Sequence, residues 1–366
     1  MGNNAGESCI PPEGLAANAT AVHYEYTSGL AGLLARLQLS VVVSSTYQAG
    51  QVITVGTHGG ELQVGFASFS KAMGICRTPQ GLAIVDRDGV WRCPASKGIA
   101  PRLTESGSND CAFLARGYHR TGPVMGHELG WIDNKLWLVV TGFNCLATLE
   151  EPWSFVPEWW PEFIPSLSGG DCCHLNGMAA SEKGQTPEWV TVLGETKDEG
   201  SWRTNKKTGG ALIHVPSNSV VKRGLCMPHS PRLYRGKLYL LESGQGALLE
   251  ISPETGDAAT VIQLPGFTRG LDLFEGHAFI GLSKIRESAT FGGLPIADNN
   301  KPLLSGFSII NLQNGQEVAR FWFNNVVDEI FSTVALPGIC NPLILGPHDR
   351  QSPEAQSWLI PQRSPP

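Results

Sequence analysis

One unit recurs along most of the chain: a short apolar run, a polar turn, and a second short apolar run. "GLAIVDRDGVWRC", "LGWIDNKLWLVV", "MAASEKGQTPEWVTVL", "RLYRGKLYLLE" and "LDLFEGHAFIGL" all have this form. Their turn residues Gly89, Asn134, Gly184, Gly236 and Gly276 lie 45, 50, 52 and 40 residues apart. A sixth copy, "EIFSTVALPGICNPLILG", turns at Pro337-Gly338 after the polar stretch 286–306 has lengthened the interval. A hairpin of this kind cannot bury its apolar faces alone. Strand units repeating at roughly 40–50 residues are the mark of a β-propeller with about four strands per blade. The last copy has too little chain after it to complete a sheet, and the early strands "LSVVVSSTY" and "QVITVG" lack an opening unit. Pairing N- and C-terminal strands in one blade removes the free edges. The expectation is an all-β propeller closed in this way, with six blades, seven being the alternative count.

The composition agrees with many short strands and tight turns: 43 glycines and 25 prolines, with only 16% charged residues. "SGLAGLLARLQ" places Leu30, Leu33, Leu34 and Leu37 on one helical face behind Ser28 as cap, and so predicts one short N-terminal helix. Three segments follow: a loose polar stretch over 1–25, a single propeller domain over 26–346, and a tail over 347–366. A net charge of −6, with no basic run to track phosphates, argues against nucleic acid as a partner. The N-terminus has no basic start or apolar core of a signal peptide, and no apolar run is long enough to span a membrane. The nine cysteines are scattered except for Cys172-Cys173, and no C-x-x-C spacing occurs. Reduced, mostly buried thiols in a cytoplasmic protein are expected.

The register of the repeat carries the functional expectation. His127 lies seven residues before Asn134, His229 seven before Gly236, and Arg269 seven before Gly276. His174 lies ten before Gly184, Glu329 nine before Gly338, and Gln80 nine before Gly89. Equivalent positions in successive blades face one central channel. Three consecutive blades would therefore offer imidazoles, the next a guanidinium and the next a carboxylate. Three neutral imidazoles meeting at one point, with room for water or substrate, make a catalytic metal site for Fe, Cu, Zn or Mn. Glu128, Asp171, Asn176 and Glu329 are candidates for a fourth ligand, a catalytic group or a partner that orients an imidazole. Arg269 suits a substrate carboxylate or phosphate. The competing reading is that such residues only hydrogen-bond one another around the axis.

Two further stretches bear on substrate. "EEPWSFVPEWWPEFIPSL" carries Trp159 and Trp160 among prolines, and is expected either to wall the channel mouth or to pack across a neighbouring blade. "GETKDEGSWRTNK" and "GLSKIRES" follow second strands and bring Trp202, Arg203, Lys284 and Arg286 as candidates for an anionic ligand. Cys172 and Cys173 read better as packing thiols than as a nucleophile, because His174 cannot be both ligand and base.

The stretches "SSTYQAGQV", "GHELGW", "FNCLATLE", "DCCHLNGMA", "LGETKDEGSWR", "MPHSPR", "LPGFTRGL", "IGLSKIRES" and "EIFSTVALPG" together resemble a bacterial family of propeller-like proteins with no assigned activity, sometimes fused to tetratricopeptide repeats. The resemblance covers nearly all of residues 24–340. It implies that His127, His174, Asn176, Gly177, His229, Arg232, Arg269 and Glu329 match family motifs. Glu128 stands where that family usually has Asp, and Gly142 and Cys173 where arginine is common.

These observations point to a metal-dependent enzyme with a three-histidine centre in the propeller channel, acting on a small polar or anionic molecule. Lyase, cyclase, isomerase and oxygenase chemistry all fit. A metal-free propeller recognising a protein or peptide is the alternative, and a lactonase-like hydrolase a weaker one.

Overall fold

Strands sandwiched between neighbouring sheets must be apolar on both faces, and the repeated runs meet that demand. Leu39–Ser45 is buried at every position and Pro187–Val192 at all but one. The computed structural model of the chain describes residues 7–9, 21–45, 50–104, 106–167, 169–285, 292–299, 302–349 and 359. In it the described residues form six sheets around one axis, antiparallel except for one added strand.

Blade one combines Ser332–Pro337 as inner strand with Leu39–Ser45, Gln51–His58 and Glu61–Ser68. Blade two begins at Ile75–Thr78, and blades three to six begin at Gly126–Ile132, Leu175–Ala180, Pro228–Tyr234 and Phe267–Phe274. The ring is thus closed as expected, by a C-terminal strand entering the first blade, with Ala335 opposite Val41. Apolar clusters fill the spaces between blades. Ala83, Val85 and Val90 of blade two meet Leu138, Val140 and Cys145 of blade three, for example. Each fully buried Leu or Val contributes about 1.5–3 kcal/mol.

The sixth copy departs from the expected hairpin. Pro342–Leu345 does not fold back on Ser332–Pro337. It runs on to pair in parallel with Cys111–Leu114, the last strand of blade two. Leu39–Ser45 already occupies the position beside the inner strand, so the chain must continue past it. The N-terminal stretch 1–25 is also not wholly loose: Val22–Tyr26 adds to the outer edge of blade six, opposite Gln316–Phe323. The helix is present as Leu30–Leu37, burying Leu30, Leu33 and Leu34. Its cap position is Gly29, and Ser28 makes no capping bond. Among the described residues no helix is long and apolar enough to cross a membrane.

The proline-rich stretch 151–168 supplies Val156–Trp159 as the outer strand of blade three. Trp159, Phe163 and Ile164 pack against Val190, Val192 and Ile213 of the next blade.

Candidate active site

Four consecutive inner strands aim their polar side chains by the same device. In blades three to six the ladder between first and second strands shifts register beside the residue concerned: between Gly126 and Leu129, Leu175 and Gly177, His229 and Arg232, and Thr268 and Leu271. A bulge bends the strand and re-aims one side chain. His127, His229 and Arg269 lie in these irregular openings, and His174 immediately precedes its strand with a φ of 50°.

The bulged openings also anchor the imidazoles. Met125 and Met227 have φ of 55° and 51°, which turns each carbonyl beneath the histidine two residues later. His127 Nδ1 lies 3.0 Å from Met125 O and 2.7 Å from Thr141 Oγ1. His229 Nδ1 lies 2.9 Å from both Met227 O and Ser243 Oγ. His174 Nδ1 lies 2.8 Å from Asp171 Oδ2. Carbonyl and carboxylate oxygens only accept, so Nδ1 donates in all three rings. Thr141 gives its own hydroxyl hydrogen to Leu175 O at 2.5 Å, so it too accepts from His127. Each Nε2 is left with its lone pair.

Burial pushes His127 and His229 well below the ordinary imidazole value. His174 and then Arg269 push His127 further, and Arg269 and then His174 push His229 further. Burial also lowers His174, against the opposing pull of Asp171, with Arg269 and Arg203 both repelling a proton there. Three neutral rings and two guanidinium groups therefore share one electrostatic neighbourhood.

The planar groups form a continuous series. Arg203 sits 4.2 Å over the ring of Trp202, and Trp202 lies 4.4 Å from His174. His174 meets His127 edge to face at 4.8 Å. His127 lies 5.3 Å from Phe331, and Arg269 covers Phe331 at 3.6 Å. Glu329 Oε1 lies 3.6 Å from Arg269 Nη1. Asp171 Oδ2 accepts from Trp202 Nε1 at 3.1 Å as well as from His174, whereas its buried Oδ1 has no hydrogen-bond partner. Among the described residues, no group of three or more His, Cys, Asp or Glu side chains is already arranged to hold a metal ion.

A family model described as a domain of unknown function (DUF4915) matches residues 28–345, which include every residue of this cluster. The chain belongs to that family. No curated protein matches it in sequence. Among solved structures, a chain in the crystal structure of a nidogen/laminin complex is similar in fold, with a TM-score of 0.50 and 7% identity, over 82% of this chain and all (100%) of the other. Selenomethionine-substituted virginiamycin B lyase from Staphylococcus aureus is more remote, with a TM-score of 0.37 and 11% identity, over 64% of this chain and 71% of the lyase.

Several expected site residues lie elsewhere in this family member. Glu128 accepts from the backbone N–H of Met178 at 2.9 Å and forms an ion pair with Arg232, which also donates to Met178 O at 3.0 Å. Both are engaged in the seams between blades, and for Glu128 the cause is the bulge that directs His127 inward and the next side chain sideways. Asn176 donates to Pro228 O at 3.0 Å and accepts from Thr191 at 2.7 Å, tying blade four to blade five beneath His229. Lys284 pairs with Asp328 at 3.2 Å. Trp159 and Trp160 lie at the outer edge of blade three, away from the axis, because the stretch that carries them was needed as that blade's fourth strand. Arg286 is outside the described residues. Gln80 is exposed in the turn joining Ile75–Thr78 to Gly81–Val85. The turn at Gly89, nine residues after Gln80, is the second turn of blade two and not the first. Cys173 is buried, with Sγ 3.4 Å from Asn144 Oδ1.

Thr141, Ser243 and Phe331 were not expected. The first two had a readable signal: each lies fourteen residues after a Met-x-His triplet, His127 to Thr141 and His229 to Ser243.

Proposed function

We propose that the axial cluster is the active site of a metal-dependent enzyme acting on a small anionic molecule. The observation that carries this reading is the uniform anchoring of the three imidazoles. His127, His174 and His229 each spend Nδ1 on a fixed oxygen and present an unprotonated Nε2, the arrangement that prepares histidine as a metal ligand. Their depressed proton affinity keeps the lone pairs available at neutral pH. A divalent Fe, Cu, Zn or Mn ion held there would supply Lewis-acid or oxygen chemistry. The chain's own residues do the rest. Arg269 holds an anionic group beside the imidazoles, Asp171 fixes the His174 ring, and Phe331 and Trp202 keep the flanks apolar. Glu329, paired with Arg269, accepts a proton from a substrate so bound.

The test is elemental analysis of untagged protein purified without chelator or nickel resin. A near-stoichiometric transition metal, lost in His127→Ala, His174→Ala and His229→Ala, is the expected result. No metal after anaerobic reconstitution would overturn it.

A second, metal-free reading is favoured by two observations. The rings are not already drawn into a ligand group, and the Arg269 charge acts on all three. In it the Asp171–His174 pair takes the substrate proton at Nε2, and Arg269 holds the resulting anion.

A further inference from the structure

We propose that the substrate of this site is a dianion, held at one end by Arg269 and at the other by Arg203. The inference rests on the active-site reading above and adds the class of molecule and the residue that selects it. The floor of the site is a run of planar groups with a guanidinium at each end. Arg203 lies on Trp202 and Arg269 on Phe331, with His174 and His127 between. A row of rings, inclined to one another and bounded by a cation at each end, matches a ligand whose anionic groups lie at its two ends.

Arg203 is prepared for that role. Its ion-pair partner Asp171 is 3.8 Å away, beyond hydrogen-bond reach, and the near oxygen of that carboxylate already serves His174 and Trp202. Among the described residues no protein oxygen takes a hydrogen bond from the Arg203 side chain, which is 41% exposed. Stacking on Trp202 fixes the plane of the guanidinium while its donors remain uncommitted, which is the presentation a carboxylate or phosphate needs.

The test is calorimetric titration of the full chain with α,ω-dicarboxylates from oxalate to adipate and with the monocarboxylates of the same lengths. Metal content is measured on the same preparations. The best dicarboxylate should bind about tenfold or more tightly than its monocarboxylate counterpart, the effect of one added charge-assisted hydrogen-bonded contact. Arg203→Met should abolish that difference, and Arg203→Lys should restore part of it. Equal binding of the two series, binding of neither, or an undiminished preference in Arg203→Met would each overturn the proposal. Loss of the metal reading shows separately, as an empty elemental analysis, and leaves this comparison interpretable.

Discussion

Glu128 and Arg232 stand 104 residues apart in the chain and meet as an ion pair that straddles the inner strand of blade four. Glu128 comes from blade three, Arg232 from blade five, and both also bond the backbone of Met178 between them. The same construction recurs on the other side of the ring. Asp272 of blade six and Arg77 of blade two pair at 3.2 Å, and both bond Ala335 of blade one, at 2.9 Å each. Acid, backbone and arginine follow in successive blades in both cases. The two clamps together engage the inner strands of all six blades and lie three blades apart around the axis.

Glu128→Gln should therefore act on stability and not on the site. Removing one partner of a largely buried pair leaves an uncompensated charge, and a loss of about 2–4 kcal/mol is expected by denaturant titration. Metal content and anion affinity of the folded fraction should match the wild type. A variant of normal stability that no longer binds metal would return Glu128 to the active site.

Thr141 joins the site to the neighbouring blade, because its hydroxyl accepts from His127 and donates to Leu175 O. Thr141→Val keeps the shape and removes both bonds. Metal affinity should fall roughly 10–100-fold, as is usual when a partner that orients a ligand is lost, and stability by about 1–3 kcal/mol. Competition with a chromophoric chelator reads the first and thermal unfolding the second. Unchanged metal affinity in a destabilised variant would make Thr141 a blade tie only.

The extent to which the sequence disclosed this molecule depended on periodicity. The hairpin repeat, the closing strand at 332–337 and the level shared by His127, His174, His229 and Arg269 follow from spacing, because a ring converts equal spacing into equal position. Spacing could not show direction. Glu128 and His127 are neighbours in sequence, and only the bulge between Gly126 and Leu129 sends one to the axis and the other to the seam. Gln80 lies in a turn and not on the axis because blade two has a second hairpin, Gly81–Val85 with Gly89–Ser96, whose turn imitates the inner one. Trp159 and Trp160 were ambiguous because prolines mask a short edge strand, which tolerates them where a central strand would not.

The depressed His127 and His229 make stability depend on pH. An unfolded imidazole titrates near 6.5, whereas burial holds both folded rings well below that value. Between the two values the unfolded chain binds protons that the folded chain refuses, so acid favours unfolding. The stabilisation is present above pH about 6.5 and is lost as pH falls below it, by up to about 1.4 kcal/mol per pH unit for each histidine. Chelator-treated protein should show this slope in urea titrations across the range, and His127→Gln should be less steep. Parallel curves for variant and wild type would mean that His127 accepts its proton in the folded state as readily as in the unfolded one.

Gly177 explains the glycine that follows Asn176 beside His174. A Cβ there would lie 2.5 Å from Thr191 Oγ1, 2.7 Å from Pro231 Cδ and 2.8 Å from the backbone nitrogen of Ser230. The inner strands of blades four and five approach closely at this point, which is where Asn176 reaches Pro228 O and His229 is set. Gly177→Ala must push that pair of strands apart, at a cost of about 1–3 kcal/mol, and should weaken metal binding by moving His229. Gly184→Ala is the control: it strains a turn with φ of 65° but meets open space. It should cost about 1–2 kcal/mol and leave metal binding intact. If both variants bind metal alike, the close approach at Gly177 holds the blades together without positioning the imidazole.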